Sequence, residues 1–201
     1  MRILGLSGSL RRDSHNTRLL AGARTLLPDG VELVVFDQLG AIPPYNEDDE
    51  RPTPPAVAAL KAAIAGADAV LVATPEYNGS ISGVLKNALD WVSRPVAETP
   101  LRGKPAAVVG ASTGLFGAVW AQAEARKVLA TIGANVLERD LPVGQAHDAW
   151  ADDGTLLDPD LRAALGEIVR ELVEQAGETV FRAPVAASGD LRATSQHAEA
   201  A

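Results

Sequence analysis

Five short, almost uninterrupted apolar runs recur along the chain, with amphipathic stretches between them. The runs are Arg2–Ser7, Val31–Phe36, Asp68–Ala73, Lys104–Gly110 and Asn135–Glu138. A strand with one face in water alternates apolar and polar residues, whereas runs this uniform belong to strands buried on both faces. Helical spacing marks the intervening segments. Asn16–Leu27 puts Leu19, Leu20, Ala23, Leu26 and Leu27 on one side, and Asp158–Ala176 puts Leu161, Leu165, Ile168, Val169, Leu172 and Val173 on one stripe. Pro54–Ala65 carries its prolines in a first turn, where their missing N–H costs nothing. Ser82–Val92 and Gly117–Ile132 complete the set of expected helices.

Strands alternating with helices require a parallel sheet covered on both faces, an α/β architecture. Five strands fit a doubly wound, flavodoxin-like sheet of order 2-1-3-4-5 better than a larger Rossmann sheet. Residues 1–182 are expected to form this one domain. From about Ala183 the residues turn to Ala, Ser, Gly and Gln without periodicity, so 183–201 is expected to be a disordered tail.

Charge and composition remove several classes of function. A formal net charge of −8 argues against a nucleic-acid partner, which needs a basic surface. The chain has no cysteine, which excludes disulfides, thiolate metal sites and thiol nucleophiles. It has only three histidines, none at metal-ligand spacing from another. Glu47-Asp48-Asp49-Glu50 is the one acidic cluster, and between prolines it reads as a solvated loop, so no metal is expected. No apolar run is long enough to span a membrane. The apolar stretch at the N-terminus is too short for a signal peptide and its basic residues follow rather than precede it, so a soluble cytoplasmic protein is expected.

In a doubly wound sheet, ligands bind beyond the carboxyl ends of the strands near the switch point. Three loops therefore carry the functional argument. The first is Ser7-Gly8-Ser9-Leu10-Arg11-Arg12-Asp13-Ser14-His15-Asn16-Thr17, which joins a strand to a helix N-terminus. Free N–H groups and the positive end of the dipole favour an anion there. Neither a G-x-G-x-x-G turn nor a Walker A loop is present. Hydroxyls and arginine in place of glycine suit a terminal phosphate with several free oxygens. The alternative is a polar loop in which Ser14 or Asn16 merely caps the helix.

The loops Thr74–Gly83 and Gly110–Gly117 leave the third and fourth strands. Tyr77 is placed to pack on a flat ring, and backbone near Glu76–Asn78 and Ser112–Gly114 to read the edge of a heterocycle. Alternatively, their glycines and Pro75 simply turn the chain. Lys86 and Asp90 are four apart on one helix and are read as a structural pair, and Trp91 as packing.

The motifs Gly8-Ser9-Leu10-Arg11 with Ser14 and Asn16, Pro75-Glu76-Tyr77-Asn78, and Gly83-Val84-Leu85-Lys86-Asn87-Ala88-Leu89-Asp90-Trp91 closely resemble those of the NADPH-dependent FMN reductases, a family that includes bacterial quinone and chromate reductases. The Ser112-Thr113-Gly114 loop and Arg126-Lys127-Val128-Leu129 look similar too. The resemblance spans about Arg2 to Glu174. It implies bound FMN, NADPH or NADH as co-substrate, a small-molecule electron acceptor, and a homodimer or homotetramer. By matching positions, Ser9, Arg11, Ser14, Asn16 and Thr17 would hold the phosphate. Pro75, Glu76, Tyr77 and Asn78 would line the isoalloxazine, and Ser112 and Gly114 would touch its other side or the ribityl chain. On this reading FMN carries the chemistry, by hydride transfer through flavin N5 with ping-pong kinetics, and no side chain acts as acid, base or nucleophile. Gly117-Ala118 departs from the family's frequent Gly-Gly, and the extra methyl is expected to narrow the approach to the ring. Two rivals remain at this level: an FMN-binding electron carrier of flavodoxin type, and a phosphatase or hydrolase using the phosphate loop.

Overall fold

A computed structural model of the chain describes residues 1–182. The expected tail, 183–201, lies outside the described residues. The strands are β1 (Arg2–Ser7), β2 (Glu32–Phe36), β3 (Ala69–Thr74), β4 (Pro105–Ala111), β5 (Asn135–Val136) and β6 (Pro142–Val143). The helices are α1 (His15–Thr25), α2 (Pro55–Ala65), α3 (Gly83–Val92), α4 (Val119–Ile132) and α5 (Pro159–Arg182). Strand order is β2-β1-β3-β4-β5, every pairing parallel, with β6 also paired to β4. This is the flavodoxin-like order expected from the sequence.

The fifth position is not one strand. Asn135–Val136 pairs with Pro105–Ala106 at the start of β4, and Pro142–Val143 pairs with Gly110–Ala111 at its end. Between them the chain makes a detour through Glu138, Arg139 and Asp140, which are exposed. Arg139 reaches Glu167 and Glu171 on α5, and Arg126 of α4 pairs with Asp140. A two-residue strand that begins with proline carries no periodicity, which is why the sequence shows only the first piece. Gln122, fully buried on α4, bridges the break. Its amide donates to Gly117 O and Leu141 O and accepts from Leu141 N–H.

The fully buried β3 and β4 divide two apolar cores. On one face Leu60 and Ile64 of α2, Leu85, Leu89 and Trp91 of α3 and Leu129 of α4 pack on the sheet. On the other, Leu19 and Leu20 of α1 meet Leu165, Ile168 and Leu172 of α5. Trp91 is read correctly as packing: it donates Nε1–H to Pro43 O at 2.8 Å and meets Tyr45 edge-on. Lys86 and Asp90 form the expected i,i+4 pair at 2.7 Å, half-exposed.

Capping explains where the helices start. Ser14 caps α1, Ser82 caps α3, and Asp158 Oδ1 accepts from the N–H groups of Asp160 and Leu161 at the start of α5. Ser82 also donates to Gly8 O at 2.6 Å, tying the loop after β1 to the loop after β3.

Candidate functional site

The strand register sets Ser7 beside Ala73 and Thr74 beside Gly110, so the loops leaving β1, β3 and β4 meet at one edge of the sheet. They enclose a cleft of about 90 Å³. Ser9, Arg11, Ser14 and Asn16 line it from the first loop, Pro75, Glu76 and Tyr77 from the second, and Ser112 from the third. Thr17, Asn78 and Gly114, also selected from the sequence, lie outside its lining. A larger hollow of about 440 Å³ opens between α3 and α4 near Lys86 and Arg94, but no strand ends there. The small cleft stands at the switch point, where the topology concentrates backbone donors.

Ser14 does cap α1: its Oγ accepts from Asn16 N–H at 3.2 Å and Thr17 N–H at 3.3 Å. Asn16 is buried and extends the sheet sideways. Its Nδ2 donates to Ala111 O, and Ala111 N–H donates to its Oδ1, each at 3.0 Å. The N–H groups of Gly110 and Ser112 reach Leu141 O and Val143 O on the β6 side, so the peptide groups of Ala111 face the opposite side, beyond the end of β3. Asn16 fills that vacancy and fixes α1 to β4 beneath the cleft. Thr17 Oγ1 lies 3.0 Å from Ser7 Oγ, and Ser9 Oγ accepts from Arg11 N–H at 3.4 Å. Arg11 itself is exposed at the cleft mouth and forms no ion pair among the described residues.

In the second loop, Glu76 Oε2 accepts from Trp120 N–H at 3.1 Å and Ala121 N–H at 3.2 Å. α4 has no side-chain cap of its own, and this carboxylate supplies one at the positive end of the helix dipole. Tyr77 and Ser80 exchange backbone hydrogen bonds around Asn78 and Gly79, both at positive φ (55° and 73°). Asn-Gly at two positive-φ positions is a type I′ turn, so Asn78 shapes the hairpin that presents Tyr77. Tyr77 is half-exposed. From α4, Glu124 accepts a hydrogen bond from Ser80 Oγ and, at 3.4 Å, from Ile81 N–H. The second loop is thus braced to α4 by carboxylates running in opposite directions, one from each side.

The third loop is locked to the segment after β6. Ser112 Oγ accepts from Gly114 N–H, Gly114 O accepts from Gln145 N–H, and Ser112 O accepts from Ala146 N–H. Gly117 sits at φ 58°, where a β-carbon would lie 2.2 Å from the carbonyl carbon of Pro142. Ala118 follows, also left-handed at φ 63°. Contrary to the expectation from sequence, its methyl does not face the cleft. Ala118 is 2 % exposed and belongs to the core that α2, α3 and α4 form on one face of the sheet. The departure from Gly-Gly therefore costs backbone strain, about 1–2 kcal/mol for an L-residue in that region, and leaves the cleft alone.

Two aromatic contacts complete the site. His15, the first residue of α1, lies edge to edge with Trp150, with ring planes 6° apart and centroids 6.3 Å apart. Its Nδ1 accepts the indole N–H of Trp150 at 3.1 Å. Burial first, then the charges of Arg18, Arg11 and His147, hold its pKa below the ordinary histidine value. Trp150 lies 135 residues away, and nothing local announces the pair. The second is an exposed aromatic surface. Phe116 and Trp120 meet edge-on at 5.1 Å, with Leu115 beside them in sequence, on the rim formed by the third loop and α4. Phe116 and Trp120 sit at i,i+4 spacing across a helix start, a pattern visible in the sequence. Among the described residues no group of three or more His, Asp or Glu could hold a metal ion.

The backbone and the site motifs point the same way as whole-chain comparison. Residues 1–148 match the model of the family described as NADPH-dependent FMN reductase. The chain belongs to the NADPH-dependent FMN reductase family. Within that family it is 43% identical over 177 residues to an NAD(P)H-dependent FMN reductase of Pseudomonas aeruginosa, covering 87% of this chain and 90% of the relative. It is 43% identical over 130 residues to a 2-hydroxy-1,4-benzoquinone reductase of a Burkholderia species, covering 65% of this chain and 70% of the relative. A solved structure of the flavoenzyme FerB, an NAD(P)H:(acceptor) oxidoreductase from Paracoccus denitrificans, superposes with a TM-score of 0.79 at 36% identity. It covers 88% of this chain and 97% of FerB. Membership of the FMN reductase family confirms the resemblance drawn from the loop motifs.

Proposed function

We propose that this protein is an FMN-dependent NAD(P)H oxidoreductase that reduces quinones or similar small acceptors. The observation that carries the reading is the cleft where the three loops converge. It has an arginine at its mouth, helix α1 at its floor, and a single lining carboxylate, Glu76, which is turned onto the N-terminus of α4. That donor set fits an anion, and the cleft is far smaller than the ~300–1,000 Å³ of a pocket that encloses a whole ligand. It suits the phosphate end, with the ring resting outside on the Tyr77 hairpin. When bound, FMN would supply the redox chemistry, accepting hydride from NAD(P)H at N5 and passing it to the acceptor in two half-reactions.

The chain's own residues bind, orient and shield. Arg11 and the N–H groups near Ser9 hold the phosphate by charge-assisted hydrogen bonds. Pro75 and Tyr77 support one side of the ring, and the backbone of Ser112–Gly114 meets the other. Asn16 ties α1 to the end of β4, and Glu76 and Glu124 tie the second loop to α4, so the ring does not have to order these segments on binding. The exposed Leu115, Phe116 and Trp120 form an apolar surface of the kind that is usually covered. A homodimer or homotetramer would cover it, and light scattering at micromolar concentration tests this: a monomer refutes it.

The deciding experiment is the absorption spectrum of the purified protein supplied with FMN. Tight retention of flavin, followed by rapid bleaching on NADPH with no partner protein, supports the enzyme. Bound flavin that NADPH leaves oxidised means an electron carrier. Absence of flavin affinity revives the hydrolase class. Arg11→Ala is expected to weaken FMN retention about tenfold or more, on the ~1.5–3 kcal/mol of a hydrogen bond to a charged group, and unchanged affinity would refute the phosphate assignment.

A further inference from the structure

His15 differs from every other polar group at the cleft in having one ring nitrogen fixed and the other without a partner. The indole N–H of Trp150 can only donate, so Nδ1 of His15 must present a lone pair to it. The remaining proton of the neutral ring then resides on Nε2. No described residue accepts from Nε2, and the ring lines the cleft beside Arg11. The coplanar hydrogen bond from Trp150 holds the ring plane, and its position at the first turn of α1 holds its origin. The ionisable neighbours are Arg11 in the same loop, Arg18 one turn along α1, and His147 after β6, whose Nε2 lies 3.2 Å from Asp148. Burial first, and then these three neighbours, disfavour a second proton on the ring.

We propose that His15, held by Trp150 as the Nε2–H tautomer, donates a hydrogen bond to the terminal phosphate of the flavin and makes the site selective for FMN over riboflavin. This rests on the reading of the cleft as a phosphate site. The arrangement divides two tasks. Arg11 supplies charge from a long, exposed side chain that tolerates displacement. His15 supplies one directed donor on a clamped ring, which rewards a phosphate oxygen only when it sits at the right depth. Trp150 acts as a positioning residue, because it touches no ligand and works by choosing the tautomer. A dianion close to Nε2 also opposes the repulsion from Arg11 and Arg18. The His15 pKa is therefore higher with FMN bound than without it, and binding takes up protons as the pH falls through the pKa of the complex.

The test uses the full chain with FMN, riboflavin and inorganic phosphate as probes. His15→Phe keeps a flat ring against Trp150 and removes the donor. It is expected to weaken FMN about 10–100-fold, from the strength of a hydrogen bond to a charged acceptor, and to change riboflavin affinity less than twofold. His15→Gln restores an N–H donor and should recover part of the FMN preference. It also serves if the Phe variant folds poorly. Nitrogen-15 NMR of the histidine ring in the flavin-free protein should show the Nε2–H tautomer, and Trp150→Phe should convert it to a mixture while weakening FMN less than His15→Phe does. Equal losses for FMN and riboflavin, or an Nδ1–H ring in the wild type, overturn the role of His15. If wild type binds FMN tightly, Arg11→Ala binds weakly and His15→Phe binds like wild type, the phosphate cleft stands and His15 alone is refuted. If Arg11→Ala also binds like wild type, the phosphate reading fails and this proposal fails with it.

Discussion

Replacing Asn16 by alanine separates scaffold from ligand binding. Asn16 is 3 % exposed and satisfies both peptide groups of Ala111 with two hydrogen bonds of 3.0 Å, linking residues 95 apart in sequence. The alanine variant leaves a buried N–H and a buried C=O without partners. Each such group costs about 1–3 kcal/mol, so the variant should lose about 2–6 kcal/mol of stability. That is a large fraction of the ~5–15 kcal/mol typical of a folded domain. Urea unfolding of the flavin-free protein measures it. With an m-value of about 2 kcal/mol/M, the midpoint should fall by roughly 1–3 M while m stays constant. Asn16→Asp retains the acceptor for Ala111 N–H but sets an oxygen against Ala111 O, so it should be destabilised on the same scale. The absence of flavin matters, because a residue that served only the phosphate would leave this midpoint unmoved. A shift worth less than about 0.5 kcal/mol would refute the account of Asn16 as a lateral extension of the sheet.

Other substitutions probe the remaining braces. Glu76→Ala removes the cap of α4 and should cost about 1–2 kcal/mol by the same denaturant assay, whereas Glu76→Gln keeps an acceptor oxygen and should lose only the charge–dipole part, ~0.3–1 kcal/mol. Gly117→Ala forces a β-carbon to within 2.2 Å of the Pro142 backbone at φ 58°. Calorimetry should show a Tm lower by on the order of 10 °C, from strain and overpacking of about 2–5 kcal/mol. Trp91→Phe should cost only about 1–2 kcal/mol, because Pro43 O still accepts from Asn87 Nδ2 at 2.8 Å after the indole donor is gone. Lys86→Ala and Asp90→Ala should each change stability by less than about 0.5 kcal/mol, since their ion pair is half-exposed and screened.

The legibility of the site followed the length scale of each interaction. Arg11 and Tyr77 were visible, because a loop at a strand's carboxyl end is a local pattern. Ser14 could be read two ways from sequence, and the structure shows its oxygen accepting from two N–H groups of α1 while its O–H has no acceptor among the described residues. The amide of Asn16 and the carboxylate of Glu76 looked equally available to a ligand. Their partners, Ala111 and the start of α4, are distant in sequence, so no spacing rule could reveal that they hold the loops together. Gln122 left a fainter trace, a polar residue on the buried side of a helix otherwise made of Ala121, Ala125 and Leu129.

By itself the sequence determined the layers. Uniform apolar runs between amphipathic helices admit a parallel sheet covered on both faces, and five of them led to the observed strand order. It also determined which loops crowd the switch point, because strand polarity puts every carboxyl end on one edge. Only the tertiary structure decided which polar groups in those loops remain free. The fifth strand is broken into two because Pro142 resumes pairing at the far end of β4, and Gln122 compensates the gap. Ala118 directs its methyl into the core because its left-handed backbone turns it there. His15 has a fixed tautomer because folding brings Trp150 against it. Periodicity reports whether a residue faces core or solvent, but a hydrogen-bond partner is chosen by the three-dimensional meeting of segments that the chain itself keeps far apart.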